Sequence, residues 1–495
     1  MTRHKTIALV LFGLLLAPVP FGTSSANAAK DIATEEQAPL SPSPLTDRFW
    51  LDRNGPTGDA LLASSEEIAA VNAAIRSRDP LSVNLADYPA FRSITQIRSE
   101  ITEIAADALT EELSSAGRPL TDAERTAARR SLTLDTPNAV IATRRAVTIR
   151  RANLRQLPTE ASWYEEDDPF QDDWLQGTAI DPGEPVILLG TNREGWHFVQ
   201  MRNYRGWLPA DALALADDAD WNLFARPARF LVVTASRVSV SLPAAPATSA
   251  VKQKNGGIPR RAKEMPPDSP SPTTESSLLF QMGSRLPLSR STANGWEIVL
   301  PTAQNGRLIP RLITIPKDEA HFHEGVLPYT TNHLIRQAFR FLGAPYDWGG
   351  HEGSVDCSAF TADIYRTVGI ELPRDADRQE TVMSPHWNFE EKSGPERYAI
   401  LREVPSGSLL FLPGHVMMYL GMDDSGTPLV IHAMSRRLSF SPRGQFLSGE
   451  PVRRVVVSGL SLPRASGRTI FEELTSAGAM RVFPRERRCI YFATE

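Results

Sequence analysis

The sequence predicts an α+β multidomain chain: a helical N-terminal segment, two small β-barrels and a C-terminal α+β domain. Three observations predict it. Apolar residues recur at three- and four-residue steps over 47–137, short β-branched and aromatic runs alternate with turns over 138–316, and helix and strand patterns mix beyond 325. A length of 495 residues fits about three domains, and two of them being small barrels raises the count to four.

Composition narrows the function classes. The chain is 41% hydrophobic and 22% charged, which suits a globular protein able to bury several cores. A formal charge of −5 argues against a binder of phosphate backbones, so no nucleic acid partner is expected. The two cysteines cannot build a disulfide framework and include no Cys-x-x-Cys pair, and neither a metal nor another cofactor is expected.

Residues 1–28 carry basic Arg3 and Lys5, an apolar run over 7–19 and small residues ending in Ala26-Asn27-Ala28, the pattern of a secretory signal peptide. An uncleaved anchor is the alternative, although the run is short for a bilayer span. No cysteine lies near the cleavage site to take a lipid. Loss of Arg3 and Lys5 takes the charge from −5 to −7. The mature chain is expected to be exported (periplasmic or extracellular), without a membrane span and monomeric. Residues 29–46, rich in Ala, Glu, Ser and Pro, read as a linker.

In the helical segment, 47–137, the periodic residues are Ile68, Val71 and Ile75, then Ile97, Ile101, Ile104, Leu109 and Leu113. Thr121 and Glu124 have capping-box spacing. A packing or wrapping role is expected there. Strands are expected over 139–143, 185–190, 196–201, 206–208, 229–234, 295–300 and 306–309, and six of the nine tryptophans lie between Trp163 and Trp296, most of them barrel core. Asn153-Leu154-Arg155-Gln156-Leu157-Pro158-Thr159, Gly183-Glu184-Pro185-Val186, Gly195-Trp196 and Gly206-Trp207-Leu208 resemble a bacterial SH3 domain, placed at 138–228. A second, weaker copy at 229–316 repeats the Gly-Trp pair at Gly295-Trp296. Its Pro- and Ser-rich insert over 243–274 reads as an exposed loop.

The chemistry concentrates after His321, where seven of nine histidines fall by His432. Phe360, Ile364 and Val368 recur at four-residue steps and the run stops at Gly369. Cys357 therefore sits in the first turn of an amphipathic helix with Asp356 near its N-cap. Helix-start N–H groups and the dipole favour thiolate over thiol there. Cys357 also lies three residues before Phe360, so a buried structural thiol is the alternative. A nucleophilic sulfur needs a base that works near neutrality. His415 opens one strand and His432 lies in the next. Their direct pairing would centre the turn one residue too early, so a bulge or offset is needed before the two rings share a face. On one face, one imidazole can act as base while the other orients it.

Pro345-Tyr346-x-Trp348-Gly349-Gly350, Asp356-Cys357-Ser358, Leu372-Pro373-Arg374-Asp375, Gly407-Ser408-Leu409-Leu410-Phe411, His415-Val416-x-x-Tyr419-Leu420-Gly421 and Ile431-His432-Ala433 occur in that order. By these motifs residues 325–495 resemble the NlpC family of papain-like cell-wall cysteine peptidases. The resemblance implies a C-terminal papain-like α+β cysteine peptidase domain with a Cys357–His415–His432 triad. With the SH3-like copies, the arrangement resembles γ-D-glutamyl-L-diamino acid endopeptidases. These cut murein stem peptides (L-Ala-γ-D-Glu-diaminopimelate) that carry a free N-terminal L-alanine. By the same resemblance Tyr346 and Asp356 hold the ammonium, Trp348 and Ser358 line the pocket, and an aromatic of the first SH3 copy, Trp163 or Tyr164, closes it. Two positions depart from the family: Ser408 stands for its usual Asp and Ala376 for a frequent Ser. An amidase or a hydrolase of intact peptidoglycan, and a non-catalytic cell-wall-binding protein, are the rival readings. His321-x-His323-Glu324 lacks a third metal ligand, the Arg481, Arg485, Arg487 and Arg488 cluster reads as a solvated face, and Cys489 reads as buried packing.

Overall fold

The computed structural model describes residues 43–110, 112–165, 172–242, 276–441 and 446–480. The signal-like residues 1–28, the insert over 243–274, the C-terminal arginine cluster and Cys489 lie outside them.

The N-terminal segment forms α1 (Asp47–Asn54), α2 (Ser65–Arg78), α3 (Ile94–Thr110) and α4 (Asp122–Ser131). Ser64 with Glu67, and Thr121 with Glu124, make reciprocal capping boxes that satisfy the first free N–H groups of α2 and α4. Leu113 leaves the helical run. It opens a short strand, Leu113–Ser115, and its buried side chain packs with Leu120, Leu157, Trp163 and Leu175, so tertiary contact outranks the periodicity. The segment does not build a core of its own. Trp50, Ile68 and Ile75 share one core with Ile364, Met418 and Ile431 of the C-terminal domain, whereas Ile94, Ile97 and Ile101 share another with Phe198, Trp207 and Trp221.

The strands of the two SH3 copies run on in one hydrogen-bonded sheet of twelve, Leu215 pairing in parallel with Arg307 between them, while a cluster around Leu154 and Val199 and another around Leu231 and Ile298 each lie within one copy. The 139–143 strand, seen as Val140–Ala142, pairs with Phe91–Ser93 of the helical segment and stays outside that sheet. The 295–300 and 306–309 strands are ten residues each, Gly295–Gln304 and Arg307–Pro316, turned by Asn305-Gly306 at φ 53° and 71°. Positive φ at both central residues is what a tight hairpin requires. Trp207, Trp221 and Trp296 are buried as core, Trp221 on α5 (Asp218–Ala225).

The C-terminal domain sets α6 (Thr331–Arg340) and α7 (Cys357–Thr367) against a six-stranded antiparallel sheet. Its strands run Leu409–Leu412, His415–Met422, Pro428–Phe440 and Phe446–Gly459 in adjacent order. Phe360, Ile364 and Val368 are fully buried in one core with Val416, Met418, Leu420 and Ile431, which lays α7 across the strands. Gly369 ends the helix at φ 88°. Asp181 of the first SH3 copy accepts a hydrogen bond from Ser284 of the second (2.5 Å), and Gln281 bonds Asp363 on α7 (3.0 Å). Polar contacts thus tie three regions together behind the helix. No helix among the described residues is long and apolar enough to cross a membrane.

Candidate active site

Cys357 is the first residue of α7. Asp356 caps the helix, its Oδ1 accepting the Ala359 N–H at 2.8 Å. The backbone N–H groups of Ser358 and of Val416, the neighbour of His415, point at the sulfur and favour thiolate. They do not prevail. Burial, followed by the Asp356 carboxylate, pushes the thiol up to about 12, against the expectation of a dipole-lowered value. Desolvation of the anion outweighs a helix terminus whose effect is confined to one turn. As a whole residue Cys357 is half-buried, and it is the free cysteine of the described residues.

The two histidines meet on one face. Met418 pairs with Ile431 and Tyr419 with Val430, then a bulge between Tyr419 and Gly421 shifts the register. That is the offset the loop length demands. His415 therefore lies diagonal to His432 rather than opposite, and His415 Nε2 sits 2.7 Å from His432 Nδ1. His432 Nε2 continues to Ser458 Oγ at 3.0 Å on the next strand. Burial lowers both rings below the ordinary histidine range, His432 to about 3; the partner ring lowers His415 further and the Arg464 charge lowers both. At neutral pH the site therefore holds a neutral thiol and two neutral imidazoles. With Nε2 occupied by His432, Nδ1 is the remaining basic nitrogen of His415.

The residues assigned to a substrate amine are placed less uniformly. Tyr346 is buried, and burial, then Asp172, Cys357 and Asp356, push its hydroxyl well up. Trp348, half-buried, starts a 3-10 turn capped by Asp347. Asp356 is engaged by a cation already: Arg374 Nη2 reaches its Oδ2 at 2.6 Å, and the Gly349 N–H adds a bond at 3.0 Å. Ser358 is buried beside this pair and accepts from Arg374 Nη1 at 2.8 Å. Arg374, visible in the Leu-Pro-Arg-Asp motif but given no role by sequence reasoning, pairs with and neutralises the Asp356 carboxylate.

The first SH3 copy reaches the site through Asp172 and Gln176. Trp163 is buried in a cluster with Ala105, Ala108 and Leu175, and Tyr164 pairs with Ser114, so neither aromatic is placed over Cys357 by these contacts. Instead Asp172 contacts Arg453 at 3.3 Å, and Arg453 also binds Asp347 while its guanidinium lies 5.7 Å from the Tyr346 ring centre. Gln176 donates to the Gly349 carbonyl at 3.3 Å. At Gly349 φ is 66°, and a Cβ there would stand 2.3 Å from Gln176 Cγ, so both the conformation and the approach require glycine. Ser408 is buried with no partner for its hydroxyl, and Ala376 begins a helix over Ala376–Val382. His321 binds Asp318 at 2.5 Å and His323 faces the Gly325 carbonyl at 3.3 Å. Among the described residues no group of three or more His, Cys, Asp or Glu could hold a metal.

A helix-start thiol set beside a strand-borne pair of imidazoles defines the class: a cysteine–histidine site on an α+β domain. More particularly, residues 343–451 match the NlpC/P60 family and residues 162–209 match an SH3 domain of the SH3b1 type. A Bacillus cereus γ-D-glutamyl-L-lysine dipeptidyl-peptidase is 34% identical over 107 residues, covering 21% of this chain and 30% of that protein. The Bacillus subtilis protein of the same name is 33% identical over 101 residues, 19% of this chain and 30% of its own length. The chain thus spans under a third of those relatives. A solved NlpC/P60 endopeptidase from Photobacterium damselae subsp. piscicida superposes with a TM-score of 0.65 at 16% identity, over 88% of this chain and 96% of that one. The fold is shared across nearly the whole length.

Proposed function

We propose that the protein is an exported cysteine endopeptidase that hydrolyses the γ-D-glutamyl–L-diamino acid bond of murein stem peptides, with a free N-terminal L-alanine preferred. The observation that carries the reading is the 2.7 Å contact of His415 Nε2 with His432 Nδ1, with the thiol of Cys357 held by the N–H next to His415. His415 Nδ1 takes the thiol proton as Cys357 Sγ attacks the γ-amide carbonyl. The Cys357 N–H at the helix start, which the Asp356 side chain leaves unused, faces the oxyanion. The imidazolium then protonates the leaving amine of the diamino acid, and water, deprotonated by the same ring, cleaves the thioester.

Charge supports the amine preference. Asp172, Asp347 and Asp356 lie near Tyr346 and Trp348 against two guanidiniums, Arg374 and Arg453, and Asp375 adds its charge near Arg374, leaving a surplus of negative charge suited to an ammonium. Asp356 contributes through that surplus, since Arg374 takes its direct contacts. Such a pocket selects peptides already released from glycan, because the alanine amine of an attached stem is acylated. The names of the Bacillus relatives support the same bond, with lysine after the glutamate.

The test compares L-Ala-γ-D-Glu-diaminopimelate, its N-acetylated form and intact sacculi as substrates of the wild type and of Cys357→Ala. Cleavage of the free peptide alone, abolished by the substitution, is the expected result. Equal or better cleavage of sacculi favours the murein hydrolase reading. Identical behaviour of the wild type and the variant rejects an enzyme altogether.

A further inference from the structure

His432 is 1% exposed and both its nitrogens are engaged, Nδ1 with His415 and Nε2 with Ser458 Oγ. The three side chains come from three adjacent strands. Val430 pairs with Ser458 and His432 with Val456, so Ser458 is the diagonal neighbour of His432, as His432 is of His415. We infer that Ser458 is a positioning residue that selects the tautomer of His432 and, through it, the nitrogen on which His415 keeps its proton. The inference rests on the peptidase reading above.

The argument is proton bookkeeping along a line. For His415 Nδ1 to accept the thiol proton, its neutral ring must carry the proton on Nε2 and donate it to His432 Nδ1. A neutral His432 that accepts at Nδ1 must carry its own proton on Nε2, where Ser458 Oγ stands 3.0 Å away to accept it. The reverse order, with Ser458 donating to Nε2, puts the His432 proton on Nδ1, forces the His415 proton onto Nδ1 and blocks the base. When the thiol proton arrives, the S–H bond breaks and an N–H bond forms at Nδ1. His415 becomes imidazolium, and His432 and Ser458 keep their protons. Ser458 is itself 8% exposed, so water competes poorly for the acceptor role. The charged and titratable groups that act on His432 and His415 are each other's rings and Arg464, whose Nε is held by Glu473 at 3.2 Å, while Cys357 on α7 meets the N–H of Val416, next to His415.

Ser458→Ala removes the acceptor, and Ser458→Thr restores a hydroxyl at the same atom. In full-length protein cleaving the free tripeptide, Ser458→Ala is expected to lower kcat about five- to tenfold with KM nearly unchanged, as expected for the loss of one hydrogen bond that weights two tautomers. Ser458→Thr is expected to recover most of that loss. Nitrogen-15 histidine spectra of the wild type, taken near pH 7.5 without substrate, are expected to show His432 protonated at Nε2, with Nδ1 protonation appearing in Ser458→Ala. This readout does not depend on the substrate. A wild type inactive on every murein peptide would sink the peptidase reading and leave the spectra to judge the tautomer. An active wild type with His432 protonated at Nδ1, or a folded Ser458→Ala variant with unchanged kcat, overturns the inference. If Ser458→Ala does not fold, the wild-type spectrum alone decides.

Discussion

Arg374 and Asp356 form a buried ion pair directly under the first turn of α7, Nη2 to Oδ2 at 2.6 Å, with both side chains less than a tenth exposed. Arg374 Nε also donates to Thr178 of the first SH3 copy at 2.7 Å, so one guanidinium joins the helix cap to a neighbouring domain. Asp356 stabilises the cap, while its charge acts against thiolate formation one residue away. Arg374 offsets that repulsion and lowers the thiol.

Arg374→Ala should therefore do two things at once. It leaves a buried carboxylate unpaired, which costs about 3–5 kcal/mol of stability. It also removes the cation that favours the thiolate, so alkylation of Cys357 should slow. A denaturation midpoint and an alkylation rate on the same preparation check both. Arg374→Ala with wild-type stability would mean the pair is not buried in solution.

Thiol reactivity has a distinctive pH course when burial dominates. Cys357 is pushed up to about 12 and His415 is held well below the ordinary imidazole range, so neutral pH holds no preformed thiolate–imidazolium pair in the free enzyme. Alkylation by iodoacetamide, followed at the Cys357 peptide by mass spectrometry, should keep rising from pH 6 past pH 10. A rate plateau below pH 7 would contradict this, since it signals an ion pair already formed.

Much of this site could be read from sequence where the determinants are local. Asp356 and Cys357 are adjacent and the apolar steps of Phe360, Ile364 and Val368 announce their helix, so the cap and the helix-start position of the thiol were legible together. The His415–His432 offset was legible because strand register and loop length are simple counts. Arg374 was not, since its partner lies eighteen residues away and only the packing of the loop brings them together. Ser458 was not, because a diagonal contact across a third strand leaves no sequence spacing. The join between the two SH3 copies was not legible for the same reason: the Leu215–Arg307 pair that links their strands spans regions with no shared pattern. The upward pull of burial on the thiol is not legible either, because a helix dipole is visible in sequence and desolvation is not.

Stability should depend on pH through two buried groups of opposite sign. His432 has a folded value of about 3 against about 6.5 unfolded, so the unfolded chain binds more protons between those values. Its contribution is present above about pH 6.5 and drains away as pH falls, by up to about 1.4 kcal/mol per pH unit. Asp363, raised to about 7 by burial and then by Asp181, contributes stability at low pH that is lost as pH rises through 7. The two partly cancel in the wild type. Asp363→Asn should therefore steepen the loss of stability between pH 7.5 and 5, and His432→Asn should flatten it. Urea midpoints at the two pH values are the measurement, and a pair of variants with the wild-type slope would refute both assignments.

Trp50 offers the sharpest test of whether the helical segment belongs to the C-terminal domain. Its ring is fully buried, its indole N–H donates to the Pro44 carbonyl at 2.9 Å, and it covers Gly421, beside the bulge that sets the His415 register. A Cβ on Gly421 would only touch the ring, at 3.4 Å, so it is the φ of 122° that favours glycine beneath the tryptophan. Trp50→Ala empties a large hole in a core shared with Met418 and Ile431 and should cost about 3–5 kcal/mol. Because the same bulge aligns the two histidines, kcat on the free tripeptide should fall as well, under conditions where the variant remains folded. An independent N-terminal domain predicts the opposite, namely a change confined to one early unfolding transition with kcat intact. Calorimetry and kinetics on Trp50→Ala separate the two outcomes.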